Sequence, residues 1–97
     1  MDLRYTREKL TSAVCGMAQS AASLQQRTFN AYGYSLIRLT PEDFPHELKL
    51  IFAEIVEAMS AGEPGVMAMS DAEAEAIARK IVHLYDEVNA RYVSTLE

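Results

Sequence analysis

Apolar residues in this 97-residue chain recur mainly at intervals of three and four, which is the spacing of one face of an α-helix. Four segments show the pattern, near residues 6–19, 24–39, 45–61 and 71–94. None of the stretches between them alternates apolar and polar residues as a half-buried strand would. The pattern therefore predicts an all-α fold, a small four-helix bundle with short connections.

Signals for helix starts agree with these segments. Residues 20–23 are all small, with a serine at each end, and only a short break is expected there between the first two helices. Thr40 and Pro41 predict a helix start, because threonine is a good N-cap and proline suits the first helical position. Ser70 and Glu73 have the spacing of a capping box, which predicts the start of the fourth helix.

The third and fourth segments have the clearest apolar faces. The predicted core residues of the third are Phe44, Leu48, Ile51, Phe52, Ile55, Val56 and Met59. Those of the fourth are Ala74, Ala78, Ile81, Tyr85, Val88 and Tyr92, with Ile77, Val82 and Leu84 widening the face. At 1.5 Å per residue the fourth helix would be roughly 36 Å long, which exceeds the width of a domain of this size. We therefore expect its C-terminal turns to contact a second copy of the chain, since two-fold dimers are the commonest oligomers.

Several apolar residues are left over once each helix has supplied one stripe to the core. Leu50 lies on the polar face of the third segment, roughly 200° from Leu48. The connection at 62–69 ends in apolar residues, and we expect it to fold back over the core, because an exposed apolar patch requires a reason. The candidate contacts with a partner or with a second copy are Leu50, Met67, Met69, Tyr92, Val93 and Leu96.

Composition narrows the class of protein. A chain with 49% hydrophobic and 24% charged residues is expected to form one helical domain over residues 1–97. No apolar run approaches the roughly 18 residues that a membrane-spanning helix needs, and no apolar signal-peptide stretch follows the N-terminus. The single cysteine, Cys15, has no partner for a disulfide within the chain, so we expect a reducing, cytoplasmic setting.

The net charge of −5 is divided unevenly along the chain. Residues 1–40 contain five basic residues against two acids, and residues 41–97 contain four against twelve, which gives +3 and −8. An acidic surface attracts basic partners, although acids also keep any small domain soluble. The candidate acidic surface consists of Glu54, Glu57, Glu63, Asp71, Glu73, Glu75, Asp86 and Glu87.

The sequence contains few of the residue patterns that are typical of catalytic or metal sites. The four glycines are scattered, so no phosphate-binding loop is present, and a single cysteine cannot form a paired metal site. His46 follows Asp43 by three residues and Glu42 by four, but a metal site in a bundle needs such a unit on more than one helix. We interpret these residues as a solvated face, and the sequence predicts no catalytic, cofactor or metal site and no enzyme.

DNA binding is the alternative that the sequence leaves open. Segments one and two, over residues 10–39, could form a helix-turn-helix. The residue types at the start of the second helix can read base edges in the major groove, and the candidates are Gln25, Gln26, Arg27 and Asn30. The net charge of −5 opposes binding to DNA, so we rank nucleic acid below protein as a partner.

The sequence therefore favours a non-enzymatic protein-binding or regulatory module that acts through an acidic and apolar helical surface. Its size and charge are typical of bacterial or phage inhibitors, antitoxin-like regulators and accessory proteins. We expect another protein with a basic surface as its partner, a homodimer, and no association with a membrane.

Overall fold

The computed structural model describes residues 2–96, with side chains up to residue 94. Five α-helices follow one another along the chain: α1 Arg4–Gln19, α2 Leu24–Tyr34, α3 Lys49–Met59, α4 Gly62–Met67 and α5 Asp71–Leu96. Three single-turn 3-10 helices, Leu36–Arg38, Pro41–Asp43 and His46–Leu48, connect α2 to α3. The described chain contains no strand. The prediction of an all-α fold is confirmed, as is the short break at 20–23, but the number of α-helices is five rather than four.

The second helix ends at Tyr34, five residues earlier than predicted. Gly33 weakens the last turn, and Ser35 leaves the helical conformation with φ −130° and ψ −60°. In a continued α-helix Leu36 would lie about 80° from the buried Thr28, at the edge of the core face. The tight turn at Leu36–Arg38 instead buries Leu36 completely.

The third helix begins later than predicted, at Lys49 rather than near residue 45. Thr40 and Pro41 do begin helical structure, but it is a single 3-10 turn in which the Asp43 carboxylate accepts the Thr40 N–H at 2.7 Å. Phe44 is extended, with φ −122° and ψ 147°, because the residue before a proline avoids the helical region. The helix can therefore continue only beyond Pro45.

The connection predicted at 62–69 is a short helix, α4. Gly62 has a positive φ of 76°, a conformation that favours glycine, and this turns the chain out of α3. Pro64 lies in the first turn of α4, where its missing N–H costs no hydrogen bond. Val66 is fully buried, and Met67 and Met69 pack half-buried against the core. The predicted fold-back over the core is confirmed.

The core lies where α1, α2 and α3 pack against α5. α1 runs antiparallel to α5: the Arg7 Nε donates to Asn89 Oδ1 at 2.8 Å, and its guanidinium lies 4.8 Å from the centre of the Tyr92 ring. Phe44 and Phe52 stack with ring centres 4.6 Å apart beneath α3. The contacts of Arg7 thus connect the first helix of the chain with the last.

α5 determines the shape of the molecule. Its 26 residues span roughly 39 Å, and the molecule measures 43 × 25 × 21 Å. The predicted capping box is present, because the Glu73 N–H donates to Ser70 Oγ at 3.1 Å and the Ser70 N–H to the Glu73 carboxylate at 3.3 Å. Val82, predicted to widen the core face, is 47% exposed, since it lies about 100° around the helix from the buried Ile81.

Two glycine substitutions should change the stability in opposite directions. Gly16→Ala is expected to raise the free energy of unfolding by about 0.5–1 kcal/mol, because alanine is the better helix former and its Cβ would meet open space. Gly65→Ala should lower it, because the new Cβ would lie 2.6 Å from the Ala61 Cβ. Urea denaturation followed by circular dichroism measures both free energies. Equal shifts would contradict the close contact between positions 61 and 65.

Candidate protein-binding surface

The outer face of α3 combines apolar and acidic side chains. Leu50 is 71% exposed, and Ala53, Glu54 and Glu57 follow it at three, four and seven residues. Residues at this spacing lie on one face of a helix, and all four are exposed. Leu50 is therefore part of a patch rather than a single exposed leucine.

An open apolar pocket of about 360 Å³ adjoins this face, between α2, the link at 39–41 and α3. Its lining residues are Tyr32, Leu39, Thr40, Pro41, Phe52, Ala53, Val56 and Glu57. Leu39 and Phe52 are buried and contribute apolar walls, whereas Ala53 and Glu57 are exposed. The pocket lies at the small end of the range of ligand sites, about 300–1,000 Å³.

The acids around α3 differ in whether they are already paired. Glu54 lies 3.9 Å from the Lys80 ammonium, Glu42 lies 3.6 Å from that of Lys49, and Glu47 lies 3.7 Å from the Arg91 guanidinium. Glu57 makes no ion pair with any side chain that the structure describes. A carboxylate on the rim of an apolar pocket is thus available to a cation from outside.

The remaining predicted acids are spread over α4 and α5. Asp71 accepts a hydrogen bond from Gln25, and Glu73 belongs to the capping box. Glu75 pairs with Arg79, and Glu87 with Arg91 at 3.0 Å, each across one turn of α5. Glu63 and Asp86 are exposed and make no ion pair within the described part of the chain. The predicted acidic set is therefore partly neutralised and does not lie on one helix.

The charge division along the chain is not cancelled by contacts between the two halves. Arg4 pairs with Asp2 within residues 1–40, and every other ion pair in the described chain lies within residues 41–97. The basic residues of the first half use other partners: Arg7 contacts Asn89 and Tyr92, and Lys9 lies 5.3 Å from the Tyr5 ring. The acidic half keeps its excess negative charge.

The predicted DNA contacts are largely engaged inside the fold. Gln25 is buried, and its amide donates to the Met69 carbonyl and the Asp71 carboxylate, each at 2.9 Å. Gln26 donates to Asn30 at 2.8 Å, and both are half-buried. Arg27 donates to the carbonyl oxygens of Ala22 at 3.0 Å and Met17 at 3.5 Å, and so secures the end of α1. Gln25 cannot reach a base edge from this position.

The predicted dimer contacts divide into two groups. Met67, Met69 and Tyr92 are half-buried against the core, whereas Leu50 and Val93 are exposed, Val93 by 45%. The side chain of Leu96 lies outside the described residues. Of the predicted contacts whose side chains are described, those that stay exposed are therefore on α3 and α5, rather than at 62–69.

His46, His83 and Cys15 are all exposed. No three His, Cys, Asp or Glu side chains in the described part of the chain gather closely enough to hold a metal ion. None of the described helices has both the length and the apolar character needed to cross a membrane.

Sequence reasoning missed the pocket beside α3, although it singled out Leu50 and Glu57. Its walls come from α2 and the 39–41 link as well as from α3, and periodicity within one helix does not show such meetings. The available signal was the proline and threonine at 40–41, which mark a bend that brings Leu39 to α3.

Comparisons of this chain with models of protein families, with curated proteins and with solved structures found no match.

The structural role assigned to Gln25 can be measured. Gln25→Ala should lower the free energy of unfolding by about 1–2 kcal/mol, because it removes two hydrogen bonds that attach α2 to the start of α5. Gln26→Ala is the matched control and should change it by less than about 0.5 kcal/mol, since it loses one half-exposed side-chain contact. Urea denaturation gives both values, and equal losses would contradict this assignment.

Proposed function

We propose that this protein is a non-enzymatic binding module that docks a basic, amphipathic segment of another protein on the outer face of α3. The observation that carries the proposal is the position of Glu57, an exposed carboxylate without an ion-pair partner among the described side chains, on the rim of an apolar pocket. Leu50, exposed on the same face, extends the apolar contact. The combination suits a partner that presents an apolar side chain next to a lysine or arginine.

The contact area must extend beyond the pocket. Burying one leucine-sized side chain contributes about 1.5–3 kcal/mol, whereas association costs an estimated 4–15 kcal/mol in lost freedom of motion. A single anchor therefore does not hold a partner. The bound segment has to cover Leu50 and the α3 face as well, which favours a helix or a similarly long segment.

Long-range charge supports the choice of a basic partner. Residues 41–97, which include α3, carry a net charge of −8. Such a field attracts basic segments, raises their rate of association and repels acidic competitors. The apolar pocket then selects among basic partners by the shape of the anchoring side chain.

The proposal includes a role for the protein as an inhibitor, an antitoxin-like regulator or an accessory protein of bacterial or phage type. Inhibitory, antitoxin-like and accessory roles all operate by covering a partner's surface, and each is compatible with the α3 face. The exposed, unpaired thiol of Cys15 supports a reducing compartment such as the cytoplasm. A homodimer is part of the proposal as well.

The DNA-binding alternative has less support, because Gln25 is buried and Arg27 is engaged with backbone carbonyls. A salt-sensitive shift of a mixed-sequence duplex by the wild-type protein, weakened in Arg27→Ala, would favour that alternative over the α3 surface.

A short synthetic amphipathic peptide of leucine and lysine at helical spacing is a direct probe of the α3 surface. In fluorescence anisotropy the protein should bind it and should not bind the same peptide with glutamate in place of lysine. Glu57→Lys should weaken binding by about tenfold, because it replaces an attractive charge at the pocket rim by a repulsive one.

The matched control is Glu63→Lys, which makes the same change of charge at another exposed and unpaired carboxylate, on α4. It should weaken binding by less than about threefold. Equal losses in the two variants would show that net charge alone attracts the peptide, and absence of binding by the wild-type protein would remove the proposal.

A further inference from the structure

A second apolar groove lies where α5 meets the corner between α1 and α2. Two adjoining pockets of about 620 and 240 Å³ share Leu24, Ala78 and Val82 among their lining residues. Val14 and Ala18 of α1 contribute to the smaller one. Val82 is 47% exposed, so the groove is an open apolar surface that the described chain leaves uncovered.

The exposed face of α5 beside this groove has the spacing of a helix-packing seam. Intervals of four and three residues separate its exposed positions, which are Ala72, Ala76, Arg79, His83, Asp86, Ala90 and Val93. Alternation of this kind keeps one face of a helix against a neighbouring helix over many turns. The buried face of α5 packs against α1, α2 and α3. The exposed face has no neighbouring helix in the described chain.

The charges around the groove identify a suitable occupant. Two chains of net charge −5 repel each other overall, so self-association requires a surface where acids and bases balance. The groove has such a rim: Glu75 and Asp86 are offset by Arg27 and Arg79. Asp86 makes no ion pair with any described side chain, although Arg79 lies seven residues away on the same face.

We propose that a second copy of this chain occupies the groove, with the two α5 helices packed antiparallel about a two-fold axis. The axis lies between the two helices, level with the midpoint between Val82 and His83, and it brings together positions equally distant from that level. Arg79 of each copy then faces Asp86 of the other, and this pair forms twice because the interface is isologous. The same axis places Ala72 opposite Val93 of the second copy and covers Val82.

Sedimentation equilibrium of the full chain tests the proposal directly. The wild-type protein should have twice the 10.8 kDa mass of one chain. Arg79→Asp and Asp86→Arg should each raise the dimer dissociation constant by about tenfold or more, because each creates two like-charge pairs across the axis. Both side chains are exposed, so circular dichroism should show the fold unchanged.

Mixing the two variants is the decisive measurement. Arg79→Asp carries two acids and Asp86→Arg two bases at the paired positions, so a heterodimer of the variants has two attractive pairs. The mixture should recover dimers that neither variant forms alone at the same concentration. Glu63→Arg, an equal change of charge on α4, should leave the wild-type dimerisation constant within about threefold.

A wild-type mass of one chain at high concentration would overturn the proposal. A dimer whose dissociation constant is unchanged in both charge-reversed variants would also overturn it. So would a mixture of the two variants that stays monomeric. The dimer does not depend on the surface proposed for α3, because the tested residues lie on a different helix.

Discussion

The packing of three helices against one long helix is the constraint on which the rest of this structure depends. α1, α2 and α3 all contact α5, whose buried residues recur at intervals of three and four from Ala74 to Val88. α5, with 26 residues, runs along the longest dimension of the molecule, 43 Å, and its three neighbours pack on one side of it. One side of α5 completes the core, and the other stays exposed along most of its length. The exposed face of α5 is thus a consequence of the placement of its neighbours on one side.

The same arrangement explains why charge is not neutralised between the halves of the chain. The first half meets α5 through apolar contacts and through polar contacts that do not require an opposite charge, such as that from Arg7 to Asn89. The ion pairs at α5 reach towards α3 or along α5 itself. Acids on α3 and α4 therefore remain exposed, and Glu57 is left on the rim of an apolar pocket. The negative potential is a property of the surface rather than of the core.

Local signals in the sequence predicted those elements whose boundaries depend on local chemistry. The capping box at Ser70, the break at 20–23 and the periodicity of α1 and α5 are all found in the structure. The errors fall where burial between distant residues decides the backbone. α2 ends early because a tight turn buries Leu36, and residues 62–67 become helical while Val66 enters the core. Gln25 resembled a base-reading residue in sequence, yet its amide binds backbone and carboxylate oxygens more than forty positions away. No pattern within one helix carries that information.

The two proposed surfaces are compatible with each other because they share no lining residue: the dimer groove is lined by α1, α5 and the start of α2, and the other pocket by α3, the 39–41 link and Tyr32. Glu54, on the flank that faces α5, reaches Lys80, whereas Ala53 and Val56 line the pocket beside α2. A dimer formed through the exposed face of α5 would therefore leave both α3 pockets open. Two equivalent pockets held at a fixed separation favour partners with two basic segments, since the second contact forms within an existing complex at a high effective concentration. In such a dimer a weak contact at each pocket would suffice, which fits the modest size of the pocket beside α3.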